Sequence, residues 1–365
     1  GYDRLDWTTA FANGALLDPG ADLPATAGTV SLPIDFTSDM HYRVAGTVTA
    51  GSGPILTAGD VQVTGSGEFA VSKYDRDLET VTGGTLNSYA FNINAGSGLT
   101  VGDSPDLQLT LSGALAVATV NDGTTDIYTA IKLANVNVAS KSGSDTFGLD
   151  GDLTIENLDY NRAVTGYDRL DWTTAFADGA LLNPGADLPT PQDLTIDFTS
   201  DMHYRVAGTV TGTGVVGEDD TTTTLTDDPT DNALLIAGDV TLTGTAQFAV
   251  SKWDRDLGTV TGGTLNSYAF NVNGAGLLVG DHAAPDLTLT LSGALAVAAV
   301  NDSADATIYT AIKMGDVDVT LGADSPSFGL SGSLTLDYYH SNSAADTYDR
   351  LDWTTAFADG ALLNP

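Results

Sequence analysis

LQLTLSGALAVATV at Leu107–Val120 and LTLTLSGALAVAAV at Leu287–Val300 are two versions of one phrase. Apolar residues alternate in both with small or polar ones. A period of two places successive side chains on opposite faces of a strand, one of them toward a core. VQVTGSGEFAV (Val61–Val71) and LSGSLTLDY (Leu330–Tyr338) alternate likewise. The runs are rich in Val, Thr, Leu, Phe and Tyr and are bounded by Gly, Asp, Asn and Pro, as strands are. They reach roughly 10 to 14 residues, against a usual length of about five or six. Helical periodicity is nearly absent. The expected fold is all-β: long antiparallel strands in tandem hairpin repeats, forming a coiled sheet, a sandwich or a solenoid-like array.

The phrase recurs because most of the chain recurs. YDRLDWTTAFANGALLDP at Tyr2–Pro19 returns as YDRLDWTTAFADGALLNP at Tyr167–Pro184 and again at Tyr348–Pro365. Between these tiles, IDFTSDMHYRVAGTVT (Ile34–Thr49), VSKYDRDL (Val71–Leu78), GGTLNSYAFN (Gly83–Asn92), IYTAIK (Ile127–Lys132) and FGL (Phe147–Leu149) all have second copies. Self-similarity at this scale marks a repeat architecture. The reading is a first large β repeat over 1–165, a second over 166–347, and the start of a third over 348–365. A third copy that stops at the last residue points to a chain taken from a longer array. The stretch 217–232, GEDDTTTTLTDDPTDN, is absent from the first repeat and reads as an exposed loop extension. Glycines inside the strand runs, among them Gly65, Gly113, Gly208, Gly244 and Gly293, mark points where a sheet bends or bulges. DWTTAFADGALL reads as strand and turn, with a short helical turn as the alternative. SYAFNI, IYTAIKL and DWTTAFA divide each large repeat into hairpin-like units of roughly 40 residues.

Composition narrows the function classes. There is no cysteine, which excludes disulfides and Cys-ligated metal sites. The 48 acidic residues against 13 basic ones give a formal net charge of −35. Such a chain repels phosphate backbones, so nucleic acid is not an expected partner. Of the acidic residues only four are glutamate (Glu68, Glu79, Glu156, Glu218). Aspartate suits turns, caps and hard-cation sites. An acidic, solvated surface that keeps a repeat array soluble explains the same bias. No stretch approaches the roughly 18 apolar residues of a membrane helix.

Little in the sequence could carry catalysis. His41 and His203 occupy equivalent places in the two repeats, while His282 and His340 have no counterpart in the first. They form no cluster of metal-ligand or catalytic spacing, so no catalytic residue and no certain cofactor is assigned. Calcium remains the one possible ion. Its weak candidates are aspartates paired across one residue: Asp75 with Asp77, Asp150 with Asp152, and Asp316 with Asp318. The sharpest motifs are YDRLDW and [YW]DRDL. Five of the eight arginines lie in them (Arg4, Arg76, Arg169, Arg255, Arg350). One reading is a carboxylate pair for calcium or a glycan, with Trp7, Trp172, Trp253 and Trp353 as stacking platforms. The other is an Asp–Arg pair that pins a turn, with an aromatic covering the end of the sheet. The second makes the tile a repeat junction carried by Tyr167, Asp168, Arg169, Asp171, Trp172 and Phe176.

VTGSGEFAVSK (Val63–Lys73), LTLSGALAVA (Leu109–Ala118) and LSGSLTLDYY (Leu330–Tyr339) share a pattern: an alternating strand with a central glycine, a polar turn, then a strand opening on an aromatic or alanine. This resembles the tandem modules of giant bacterial surface proteins, the large repetitive proteins or adhesins. The resemblance implies an extracellular or cell-surface location and a structural or adhesive role. The expected function is a stalk or a self-assembling fibre or layer building block. Its partners would be neighbouring repeats or other copies of the chain, and surface glycans if the aromatics are exposed. The alternatives are a carbohydrate- or calcium-binding adhesion module and an outer-membrane β-barrel. An enzyme is not expected.

Overall fold

The computed structural model describes residues 3–10, 34–49, 51, 53–58, 61–101, 107–140, 149, 152–176, 182–211, 233–237, 240–257, 260–281, 284–304, 306–321, 338–345 and 347–357. The extension read at 217–232 lies outside them, as does Asp150. The first repeat supplies β1 (Met40–Val48), β2 (Leu56–Ala58), β3 (Val61–Thr64), β4 (Gly67–Asp75), β5 (Thr85–Val101), β6 (Leu107–Asn121), β7 (Asp126–Ser140) and β8 (Asp152–Ala163). The second supplies β9 (Met202–Thr211), β10 (Ala233–Ala237), β11 (Val240–Thr243), β12 (Thr245–Asp254), β13 (Thr264–Asp281), β14 (Ala284–Asn301), β15 (Thr307–Leu321) and β16 (Tyr338–Ala344). The fold is all-β and antiparallel. No helix among the described residues is long and apolar enough to cross a membrane.

Twelve strands form one path, β1-β4-β5-β6-β7-β8-β9-β12-β13-β14-β15-β16. Both repeats belong to it, joined where β8 pairs with β9 from Asp152↔Thr211 to Tyr160↔Tyr204. The sheet is not closed into a barrel; β1 and β16 are its two edges. The hairpins β2–β3 and β10–β11 lie beside the path, where β3 pairs with the far half of β5 and β11 with the far half of β13.

The long strands are longer than the alternating runs: β5 has 17 residues and β14 has 18. Glycine sets where they bend. Val61–Val71, a single run by its alternation, is two strands broken at Gly65, whose φ of 119° lies where only glycine sits without strain. β3 and β4 then take different halves of β5. Gly113 (φ 120°) and Gly293 (φ 134°) stand at matching register shifts, between Ser112 and Ala114 and between Ser292 and Ala294. These are β-bulges, which raise local twist and coil the sheet.

The strand period divides the residues into two faces. One is bulky: Phe91, Leu115, Ile131, Leu158, Val206, Phe248, Phe270, Leu295 and Met314 form one buried cluster running through both repeats. Neither described helix packs there. The same cluster takes in Leu56, Val61 and Val63 of the β2–β3 hairpin and Leu234, Leu235 and Leu242 of the β10–β11 hairpin, so the bulky side chains pack on one another and on those hairpins. The other face is built of small residues. In the first repeat Ala70, Ala90, Ala114, Ala116, Ala118 and Ala130 are buried. Their counterparts Ala249, Ala269, Ala296, Ala298 and Ala311 are only half-buried, and Ala294 is exposed.

Gly208 illustrates how tightly β8 and β9 meet. A Cβ there would lie 1.9 Å from the Thr154 carbonyl oxygen. Gly208→Ala is therefore expected to destabilise the chain by about 1–3 kcal/mol, the range of backbone and overpacking lesions. Urea unfolding checks this; an unchanged midpoint would refute so close an approach.

Candidate functional site: the junction between repeats

The tile at Tyr167 and the chain that follows it cross from β8 to β9. The tile forms one short helical turn, α1 (Trp172–Ala175), the alternative to the expected strand and turn. Asp171 decides this locally. Its Oδ1 accepts from the Thr173 backbone N–H at 3.0 Å and from the Thr173 hydroxyl at 2.5 Å, which caps the turn. The third tile repeats the construction in α2 (Trp353–Ala356), with Asp352 capping Thr354.

Asn161 is the centre of the junction. It sits on β8, 3% exposed, and all its side-chain bonds go to the tile and the chain beyond. Its Oδ1 accepts from the Trp172 indole N–H at 3.0 Å. Its Nδ2 donates to the Leu170 and Thr199 carbonyls, each at 3.0 Å. The Trp172 backbone N–H in turn donates to the Phe198 carbonyl at 2.8 Å. A buried amide with its partners in place is stabilising and directional, and removal of one partner leaves an unsatisfied polar group.

Around this hub the apolar residues close over the small face. Trp172, Phe176, Leu182, Leu188, Leu194, Ile196 and Phe198 share one cluster with Ala70, Ala90, Ala116, Ala118 and Ala130. The alanines leave room for the crossing backbone. Trp172 and Phe176 rings lie 5.9 Å apart, and Tyr167 meets Tyr128 edge-on at 6.0 Å. The segment is pinned at its far side by Thr190, which donates to Glu68 from its backbone N–H at 3.2 Å and from its hydroxyl at 3.0 Å, and by an ion pair between Asp187 and Arg43.

The arginines of the motifs tie the tile to the following repeat. Arg169 donates to the Ser200 carbonyl at 3.2 Å and pairs with Asp254, whose Oδ1 also meets His203 Nε2 at 2.7 Å. Arg255 pairs with Asp201. The first repeat copies this: Arg4 and His41 meet Asp75, and Arg76 pairs with Asp39. His41 and His203, given no catalytic or metal role by the sequence, are therefore members of a clasp. The recurrence of an Arg, a His and an Asp in both copies was the available signal.

Of the calcium candidates, Asp75 is engaged by Arg4 and His41, whereas Asp77 accepts from the Gly83 backbone N–H at 2.6 Å. Asp152 lies on β8 and Asp316 and Asp318 lie on β15. Among the described residues no three His, Asp or Glu side chains converge to hold a metal ion. Trp172 is buried and Trp7, Trp253 and Trp353 are half-buried, with the Arg255 guanidinium 5.8 Å from the Trp253 ring centre. Asp168 is exposed.

Truncation of the buried indole in Trp172→Ala is expected to destabilise by about 3–5 kcal/mol. Trp172→Phe, which removes chiefly the donor to Asn161, costs about 1–3 kcal/mol. With the lesion at the junction, small-angle scattering of Trp172→Ala should show altered inter-repeat geometry while circular dichroism keeps its strand signal. Unchanged scattering would sink the junction role.

The clasp also sets an acid limit. Burial raises the Asp254 pKa, but the His203 hydrogen bond and the His203 and Arg169 charges outweigh it, and the carboxyl sits below its ordinary value of 3.8. Asp201 is likewise lowered, burial being outweighed by the Thr199 hydroxyl and Arg255. A carboxylate with a folded pKa below its unfolded one contributes stability above the unfolded value. That contribution is lost as pH falls through the folded value. The melting temperature should therefore fall as pH drops below about 4. The gap between wild type and Asp254→Asn should narrow over the same range; a constant gap would show that Asp254 is not part of the acid response.

No protein-family model, no curated protein and no solved structure matches this chain.

Proposed function

We propose that the chain is a structural segment of a large extracellular surface protein, serving as a stalk or as a building block of a fibre or layer. One observation carries the reading: two long sequence repeats are fused into one uninterrupted sheet, with a tile of the repeated sequence sealing the seam. Backbone pairing of β8 with β9 continues the ladder across the repeat boundary. Asn161 and Trp172 lock the crossover against it. Such an arrangement resists separation of repeats and extends by addition of further ones. The conserved chemistry of each copy goes into holding strands and tile together. Arg169 and His203 meet on Asp254 and Arg255 meets Asp201, as Arg4 and His41 meet on Asp75 and Arg76 meets Asp39 in the first repeat.

Location and role are supported by composition. The formal charge of −35 keeps a long array soluble and apart from its neighbours, and a chain without thiols is indifferent to an oxidising exterior. The resemblance to modules of giant surface proteins points the same way.

Immunogold labelling of intact cells that make the chain, with electron microscopy of the purified chain over a concentration series, tests the reading. Gold is expected at the cell surface or in surface appendages, and the purified chain as short rods or ordered filaments. Gold confined to the cell interior would overturn it.

A further inference from the structure

We propose that the repeated tile is a self-sufficient docking element. The end of a repeat captures it by its tryptophan, tyrosine and phenylalanine without help from the strand that follows, and captures the same sequence when another chain presents it. The inference deepens the structural reading above and rests on the part of it that makes the tile the seal of the seam.

The three copies of the tile lie in three settings. The middle copy is held from two sides. From the preceding repeat it takes the Asn161 amide, through the Trp172 indole and the Leu170 carbonyl, and the Tyr128 ring against Tyr167. From the following repeat it takes the Phe198 carbonyl on the Trp172 backbone N–H, and the Ser200 carbonyl and Asp254 carboxylate on Arg169.

The third copy has the whole of the first set. Trp353 Nε1 donates to Asn342 Oδ1 at 3.1 Å, and Asn342 Nδ2 donates to the Leu351 carbonyl at 2.9 Å. Tyr348 meets Tyr309 edge-on at 5.8 Å. The Ala345 backbone N–H donates to the Ile308 carbonyl at 2.8 Å, as Val164 does to Ile127 at 2.9 Å. Phe357 is 6% exposed, the same as Phe176. The partners in these contacts lie on β15, on β16 or in the tile itself.

The first copy carries the second set. The Trp7 backbone N–H donates to the Phe36 carbonyl at 2.7 Å, and Arg4 donates to the Ser38 carbonyl at 3.1 Å and pairs with Asp75. Asp6 caps Thr8 as Asp171 caps Thr173. Its backbone nevertheless makes only a turn over residues 7–9, whereas the two copies seated on an asparagine form α1 and α2. The two sets of contacts are therefore separable, and the helical turn goes with the hub.

A short peptide can satisfy this chemistry. One primary amide offers an acceptor to the Trp353 indole and a donor to the Leu351 carbonyl, which fixes the register of the tile. Around it Ile308, Tyr309 and Ala344 share an apolar cluster with Tyr348, Leu351 and Phe357. Buried aromatic anchors of this kind carry most of the binding energy of an interface. Asp352 caps the turn from within the tile, which lowers the cost of ordering it.

The seam then forms in two stages. A tile docks on the finished repeat behind it, and its arginine side next positions the following repeat, as Arg169 does through Ser200 and Asp254. The partner that the hub fits is any chain presenting YDRLDWTTAF, the sequence of Tyr348–Phe357. Tyr348–Pro365 carries three aspartates and one arginine, so its capture by a chain of net charge −35 should strengthen with salt that screens the repulsion.

The full chain carrying Trp353→Ala, whose own third tile lacks its anchor, is titrated at moderate salt with a fluorescent peptide of the sequence Tyr348–Pro365. Saturable binding is expected, displaced by unlabelled peptide. It should weaken about tenfold or more when the peptide carries Trp353→Ala, when Asn342→Ala is added to the chain, and for the wild-type chain, whose hub is already filled. Equal binding by the altered peptide or to the wild-type chain would overturn the proposal, and so would no binding up to millimolar peptide; either result leaves the stalk reading standing. Indole N–H signals of the otherwise unaltered chain give a second reading. Asn342→Ala is expected to move the Trp353 signal and leave that of Trp172 in place, and an unmoved Trp353 signal would show that the tile is not seated. Specific capture by a chain that gold places inside the cell supports the docking and sinks only the surface role.

Discussion

A sheet with two apolar faces must find cover for both, and in this chain the two faces find it differently. The bulky face packs on itself and on the β2–β3 and β10–β11 hairpins. The small face cannot, because alanine side chains are too short to reach across a gap. It needs a separate layer of chain lying close on the strands. Trp172 and Phe176, with Leu182, Leu188, Leu194, Ile196 and Phe198, form that layer for the first repeat. The rest of the structure follows from this constraint: residues of the second repeat cover the small face of the first.

Polar groups fix where the layer lies. Asn161 uses both ends of its amide on the crossing chain, which specifies one position for the Trp172 indole. The Arg–Asp pairs are partly exposed, and such pairs add little stability each in water. Their value is geometric. Arg169 reaches Ser200 and Asp254 together and so holds the tile against the ends of β9 and β12.

Much of this was legible in the residues. Alternation along Leu107–Val120 identified strands, and the duplicated text identified a repeat architecture with the tile at its seams. The economy of arginine pointed to structural pairing. Three details lay beyond the order of residues for physical reasons. Val61–Val71 alternates without interruption, yet Gly65 turns the chain there, because a period of two carries no information on backbone φ. The tile is one helical turn because the Asp171 side chain caps it, a local bond that outweighs the β-propensity of two threonines. Asp75 and Asp77 look alike on paper, but one faces an arginine and a histidine and the other a backbone amide.

The sequence by itself determined the strand character and the stretches of residues that recur. These are local or self-referential properties: period, propensity and identity are written in the order of residues. Only the tertiary structure decided that β8 pairs with β9 across the boundary, that Asn161 receives the indole, and that Val44 and Val206 live in different surroundings. Those outcomes depend on what lies beside a strand in space, and two identical stretches of sequence acquire different neighbours when one is inside a sheet and the other at its edge.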